Sequence, residues 1–315
     1  MTDPLQIIAL ETAALREGLE HRRQRYWKIY LLGLPACLLL IGAIAAWNSR
    51  GQIFPWAIVG VAGLVLAVIG FQALNILYRT KTKLAFLARI ASALGLAYAR
   101  HGRFNVREVD NHQILPNYDI ARVEDGFSGM VGGVRIMFEE AVLSERNRQQ
   151  NPHTGKMEYR EQMTFWGLII RIGIGKNLQH HTIVMPRNRL NSFFRTTLSR
   201  YKPVNLVSPK FEAKFDTIAT DQVEARYVLD PAFMERFMEA DALANTRWLS
   251  ASFLGNEIAI AIERNRAMFE IGALWRPLSQ DVLAATLAEL TLILKIVETL
   301  KLNPHTGLGA SLPER

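Results

Sequence analysis

Two long stretches without a charged residue dominate the hydrophobic pattern: residues 29–47, 19 residues, and residues 53–78, 26 residues. Wound as helices at 1.5 Å per residue they reach about 28 and 39 Å, against a hydrocarbon core of roughly 30 Å. The pattern therefore predicts two transmembrane helices, 29–47 and 53–78, the second with tilt or overhang. Trp27, Tyr30 and Trp47 bracket the first run, and Trp56 and Tyr78 the second, where amphipathic rings suit a membrane interface. Gly33, Pro35, Gly60, Gly63 and Gly70 would weaken a soluble helix but are tolerated in lipid. There, glycines also let helices pack closely, within one chain or between copies. A cleaved signal sequence fits poorly, because Glu11, Glu17 and Glu20 precede the first run.

Past the second run the periodicity becomes that of a mixed α+β domain. Leu84, Leu87, Ile90 and Leu94 continue a helix with one apolar face. Strands are predicted near Val123–Met130 and Val134–Phe138, joined through Gly132-Gly133 as a hairpin. Trp166, Leu168, Ile170, Ile172 and Ile174 alternate as a further strand, with Thr182–Met185 as its expected partner. The polar stretch 145–160 reads as an exposed loop. Asp230-Pro231 marks a helix start, an Asp cap followed by Pro in the first turn. Leu249–Phe253 and Ile258–Ile262 read as two adjacent strands, and a last helix is expected from about Ser279 to before Asn303-Pro304. Hairpin-length links between strands favour a largely antiparallel sheet.

Charge sets an orientation. The chain carries a net +8, and residues 1–83 hold 9 basic against 4 acidic side chains. Arg22, Arg23, Arg25 and Lys28 precede the first span, and Arg79, Lys81 and Lys83 follow the second, while the connecting loop holds only Arg50. The positive-inside rule then places both termini in the cytoplasm. The expected layout is a basic N-terminal segment 1–28, a helical hairpin 29–78 and a cytoplasmic domain 79–315. A hydrophobic content of 50% excludes a disordered chain, and a single cysteine, Cys37, excludes a disulfide framework.

No catalytic signature is complete. Gly173-Ile-Gly175-Lys176 lacks the remainder of a phosphate loop, since Ile170 and Asn177 stand where Gly and Ser or Thr are needed, and a tight hairpin turn is the better reading. Gly126-Phe-Ser128-Gly129-Met130 and Gly309-Ala-Ser311-Leu-Pro313 both miss the nucleophile elbow. His180-His181 point to opposite faces of a strand, so they do not share a metal; a surface pair is expected, and no metal or cofactor is implied. Glu139-Glu140 meet the same objection as an acid–base couple. Asn151-Pro-His-Thr-Gly155 recurs as Asn303-Pro-His-Thr-Gly307, read as two independent turns.

One segment is strongly biased. Residues 162–211 contain no Asp or Glu and eight Lys or Arg, whereas residues 212–270 hold 11 acidic and 6 basic residues. Arg187, Arg189, Arg195, Arg200 and Lys202 are candidate contacts to anionic lipid. Nucleic acid is disfavoured as a partner, because Phe193 and Phe194 recur at core spacing rather than as exposed stacking platforms.

Residues 211–236, FEAKFDTIATDQVEARYVLDPAFMER, carry a family resemblance through Phe211, Phe215, Asp221, Gln222, Glu224, Ala225, Arg226, Tyr227, Leu229 and Pro231. Ile114-Leu-Pro116 and Phe127-Ser-Gly129 add to it. The chain resembles an uncharacterised family of bacterial two-span membrane proteins, a domain of unknown function. The resemblance implies a bacterial inner-membrane protein and brings no reaction, cofactor or catalytic residue. Read physically, Asp221, Glu224 and Arg226 form a candidate polar cluster, expected to be an ion network that fixes the turn before Asp230. The functional expectation is a membrane-anchored α+β protein that binds a protein partner at the membrane surface, with self-association through the spans open. The alternatives are an enzyme acting on a lipid or envelope precursor at that cluster, or a sensor of anionic lipid.

Overall fold

The computed structural model describes residues 4–49, 54–131, 133–150, 157–187, 200–246 and 248–300. The chain divides into two compact units, one holding the N-terminal helices with Phe269–Leu287, the other Leu94–Met268 with the stretch from Ala288 onward.

In the first unit, α1 (Pro4–Ser49) and α2 (Phe54–Ala93) lie side by side. Their register is antiparallel. Arg22 donates to the Lys81 carbonyl at 3.4 Å, the Tyr26 and Tyr78 rings are 6.2 Å apart, and those of Tyr30 and Phe71 5.2 Å. Gly63 permits the contact, since a Cβ there would stand 2.6 Å from the Leu38 side chain. The apolar helix faces are largely uncovered: Leu32, Leu39 and Leu64 are 73%, 76% and 67% exposed. Beyond this belt α2 is packed, with Tyr78, Phe86, Leu87 and Ile90 buried. The helical continuation past residue 78 thus runs to Ala93.

The second unit is built on one antiparallel sheet. In chain order its elements are β1 (Leu96–Ala99), a 3₁₀ helix (Val106–His112), β2 (Ile120–Val131), β3 (Val134–Gln150), β4 (Met157–Pro186), β5 (Lys202–Pro203), α3 (Pro209–Lys214), β6 (Phe215–Ala219), α4 (Gln222–Val228), α5 (Pro231–Ala244) and β7 (Leu249–Glu263). The final helix, α6 (Gln280–Thr299), starts in the first unit and ends in the second. The strand order is β1-β2-β3-β4-β6-β5, and β7 also pairs with β4. The 30-residue β4 is the spine, pairing with β3 over Met157–Ile172, with β6 over Thr182–Pro186 and with β7 over Gly167–Val184.

Three local readings change. Thr182–Met185 is not a partner of the 166–174 strand but its continuation. The nine steps from Gly173 to Thr182 face only four from Glu257 to Phe253, so bulges rather than a hairpin absorb Gly173–Lys176. Residues 145–150 and 157–160 are not loop. They extend β3 and β4 as a paired ribbon, Glu145 opposite Gln162 and Gln150 opposite Met157; exposure on both faces removes the alternation that would have marked them. Leu249–Phe253 and Ile258–Ile262 form one strand. Gly255, at φ +59°, inserts a left-handed residue that reverses which side chains face which side. The β2–β3 hairpin and the helix after Asp230 are as expected, with the Asp230 carboxylate accepting the Phe233 N–H at 2.7 Å.

One sheet face packs on α5 through Phe211, Phe215, Phe233, Phe237 and Phe253, whose neighbouring rings lie 5.0–6.0 Å apart. The opposite face is covered by the 3₁₀ helix. Val106 and Val109 join Leu143, Phe165, Ile169, Ile183, Ala259 and Ala261 in a buried hydrophobic cluster.

Candidate functional site

The 3₁₀ helix sets the site. Asn105 caps it, accepting the Arg107 N–H at 3.0 Å, while the Glu108 carboxylate accepts the Asn105 N–H at 3.2 Å. Three residues per turn then align Val106, Val109 and His112 in one buried row, with the imidazole laid on the sheet.

There it enters a chain of hydrogen bonds. His112 Nδ1 is 3.0 Å from Ser252 Oγ on β7, and that hydroxyl is 2.7 Å from His181 Nε2 on β4. His181 Nδ1 is 2.7 Å from the Tyr201 hydroxyl, and His112 Nε2 faces Glu257 Oε1 at 3.8 Å. Glu257 is gripped by Arg171 through Nε at 2.5 Å and Nη2 at 2.8 Å, and Arg171 Nη1 reaches Glu108 at 2.6 Å. The guanidinium also lies 5.0 Å from the Phe104 ring centre. Nearby, the buried Glu139 carboxylate accepts the Arg103 and Phe104 N–H groups at 2.8 and 3.2 Å.

The proton order follows from Glu257. A lone pair on His112 Nε2 would repel the carboxylate, so that nitrogen carries hydrogen. Nδ1 then accepts from Ser252, Ser252 accepts from His181 Nε2, and His181 Nδ1 accepts from Tyr201. Both imidazoles are neutral in this arrangement. Burial pushes the His181 pKa down to about 4, helped by His112, and burial likewise lowers His112. Burial raises Glu139 to about 7, against the pull of its two backbone donors.

A serine between two imidazoles has the parts of a nucleophile and base. Here Ser252 is fully buried and His112 and His181 are each 6% exposed, so the chain fastens the 3₁₀ helix to the sheet. Among the described residues no three His, Cys, Asp or Glu side chains converge as metal donors. A cleft of about 500 Å³ lies elsewhere in this unit, lined by Asn245, Thr246, Arg264, Arg266 and Leu292.

His180-His181 is therefore not a surface pair: His180 is exposed, but His181 is at the centre of the buried chain. Glu224 and Arg226 lie on α4 and Asp221 just before it, and the three form no mutual ion pair among the described residues. Asp221 caps α4 by accepting the Glu224 N–H at 2.8 Å. Glu224 accepts the Gln179 and His180 N–H groups at 3.1 and 2.8 Å, tying down the bulged part of β4. The exposed Arg226 reaches the Asn205 carbonyl at 3.2 Å and Gln222 at 3.1 Å. Arg187 donates to the Glu212 carbonyl at 2.9 Å, and Arg200 and Lys202 are exposed. Arg189 and Arg195, Phe193 and Phe194, and both Asn-Pro-His-Thr-Gly turns lie outside the described residues.

Sequence reading missed His112, Ser252 and Tyr201 as a set, because His112 and Ser252 are 140 residues apart and no linear spacing links them. The available signal was the Val106, Val109, His112 spacing alone.

The family comparison falls on the C-terminal half of the chain, most of it in the second unit. Residues 163–302 match the family model described as protein of unknown function (DUF3137). This fits the uncharacterised family that the sequence resembles. The match takes in Arg171, His181, Tyr201, Asp221–Arg226, Ser252 and Glu257, and leaves out Glu108 and His112. No curated protein matches the chain. Among solved structures, the crystal structure of the mycobacterial trehalose monomycolate transport factor A, TtfA, is similar at a TM-score of 0.33 and 9% identity, over 67% of this chain and 91% of that one.

Proposed function

We propose that this chain is a membrane-anchored binding protein: α1 and α2 cross a bacterial inner membrane with both termini in the cytoplasm, and the sheet unit docks a protein partner. The observation that carries the reading is the uncovered apolar surface of the hairpin. Over the two candidate spans, 0% and 11% of the most apolar windows are buried, which is the reverse of a soluble core helix. Basic residues gather at one end of the hairpin, Arg22, Arg25 and Lys28 beside Arg79 and Lys81, which supports the cytoplasmic placement of that end.

The docking half rests on the β3–β4 ribbon. Met157, Tyr159 and Met163 are 59%, 67% and 49% exposed there, flanked by Arg146, Arg148 and Arg160. Adaptable Met side chains and an amphipathic Tyr on an exposed ribbon suit a protein surface. No catalytic role is assigned.

In a Cys37→Ser background, an impermeant maleimide should label a cysteine placed at Gln52 in spheroplasts, and one at Ser311 only after lysis. Equal labelling of both in intact spheroplasts rejects the topology. A photo-crosslinking residue at Tyr159 should give one adduct in native membranes, matched at Met163 and missing at the exposed Val223. The same adduct at all three positions rejects the ribbon as the docking surface.

A further inference from the structure

We propose that the turn Ala273–Arg276 is a third membrane contact, seating Trp275 in the anionic headgroup layer of the cytoplasmic leaflet beside the two spans. The inference rests on the spanning hairpin and assigns the side chains that set its depth.

The turn closes where the Arg276 N–H donates to the Ala273 carbonyl at 3.0 Å. It is fastened to both helices of its own unit. The Leu274 N–H donates to Asn75 Oδ1 at 3.0 Å, the Leu274 carbonyl accepts from Arg23 Nη1 at 3.1 Å, and the Leu278 N–H donates to Glu20 at 3.0 Å. Leu274 and Leu278 point inward and are buried, at 0% and 2% exposure. Between these clamps Trp275 points outward and is 53% exposed. Its ring is 5.8 Å from Phe71, which is 5.2 Å from Tyr30 and 6.4 Å from Trp27. Three separate stretches of chain therefore place aromatic rings at one level.

That level is a boundary. On one side the helix surfaces carry exposed Ile29, Leu32, Val68 and Ile69. On the other lie the exposed cations Arg22, Arg25, Arg79, Lys81 and Arg276. Ile76 and Leu77 extend the apolar rim by one turn into the headgroup zone. The level also resolves the unequal spans. If lipid contact on α2 ends at Phe71, residues 53–71 make 19 residues, the same as residues 29–47. The excess of the second apolar run is the part that the turn grips through Asn75. A rigidly presented Trp at the edge of an apolar belt, ringed by cations, matches the interface in both polarity and charge.

The test uses the full chain in liposomes of zwitterionic and anionic phospholipid, with quenchers near the headgroup or at the chain ends. The emission lost in Trp275→Phe is compared with that lost in Trp56→Phe, which reports the spans. The Trp275 component should be blue-shifted, lose most of its intensity to the shallow quencher and resist aqueous iodide. A Trp275 component quenched by iodide alone, with the Trp56 component still quenched by lipid, overturns this contact and leaves the spans standing. If neither component responds to lipid, the spanning hairpin fails, and the contact fails with it.

Discussion

Ser252 and Glu257 lie on one strand at a spacing that should put them on opposite faces, yet both approach the His112 ring, at 3.0 and 3.8 Å. Gly255 between them makes this possible: its φ of +59° reverses the alternation, so that even positions before it and odd positions after it face the 3₁₀ helix.

Gly255→Ala should accordingly lower stability by about 1–2 kcal/mol, the cost of forcing an L side chain into the left-handed region. There is room for the methyl group, the nearest atom being 3.8 Å from its position, so the cost is conformational. Thermal melting of the detergent-solubilised chain measures it, and an unchanged melting temperature would show that the bulge tolerates another residue.

The two histidines make stability fall on acidification. Their folded pKa values lie below the ordinary value, His181 at about 4, so the unfolded chain takes up protons first as pH drops below 6.5. The stability that His181 contributes is complete above 6.5 and lost toward 4, about 3 kcal/mol in all. Glu139 acts oppositely. With its pKa raised to about 7, its contribution is complete below 4.5 and lost as pH rises through 7. Glu139→Gln should therefore steepen the decline in melting temperature between pH 6.5 and 4.5, and an unchanged slope would count against the buried carboxyl as its cause.

Ser252→Ala should cost about 1–3 kcal/mol, because it leaves a buried nitrogen on each of two imidazoles without a partner. Tyr201→Phe removes one bond from the same chain and should cost less, about 1 kcal/mol. The double variant should lose less than the sum, since both act through His181. Strict additivity in urea unfolding would show that the chain does not act as one unit.

Glu224 and Arg226 should separate cleanly. Glu224→Ala removes the acceptor for two β4 N–H groups and should cost about 1–2 kcal/mol, whereas the exposed Arg226→Ala should stay within about 0.5 kcal/mol. Equal losses would restore the expected ion network.

Local features were readable from the residues. The charge-free runs, the Gly132-Gly133 hairpin and the Asp230-Pro231 helix start each encode their element within a few positions. Features that depend on distant partners were not. Gly173–Lys176 look like a hairpin turn because nothing near them reveals that α4 satisfies the bulged backbone at Gln179 and His180 with Glu224. The phase change at Gly255 makes one strand look like two. His181 looks like one of a solvated pair until Tyr201 and Ser252 close on its two nitrogens.

β4 also dictates when this protein is able to fold. Its edge opposite β3 and β6 is occupied by β7, whose last residue, Glu263, is translated some 80 residues after Pro186. Until the ribosome delivers that strand, a long row of backbone donors and acceptors stays open, a template for pairing with other nascent chains. By then α1 and α2 have already left the ribosome, so the growing chain waits for its closing strand with its hydrophobic hairpin already made.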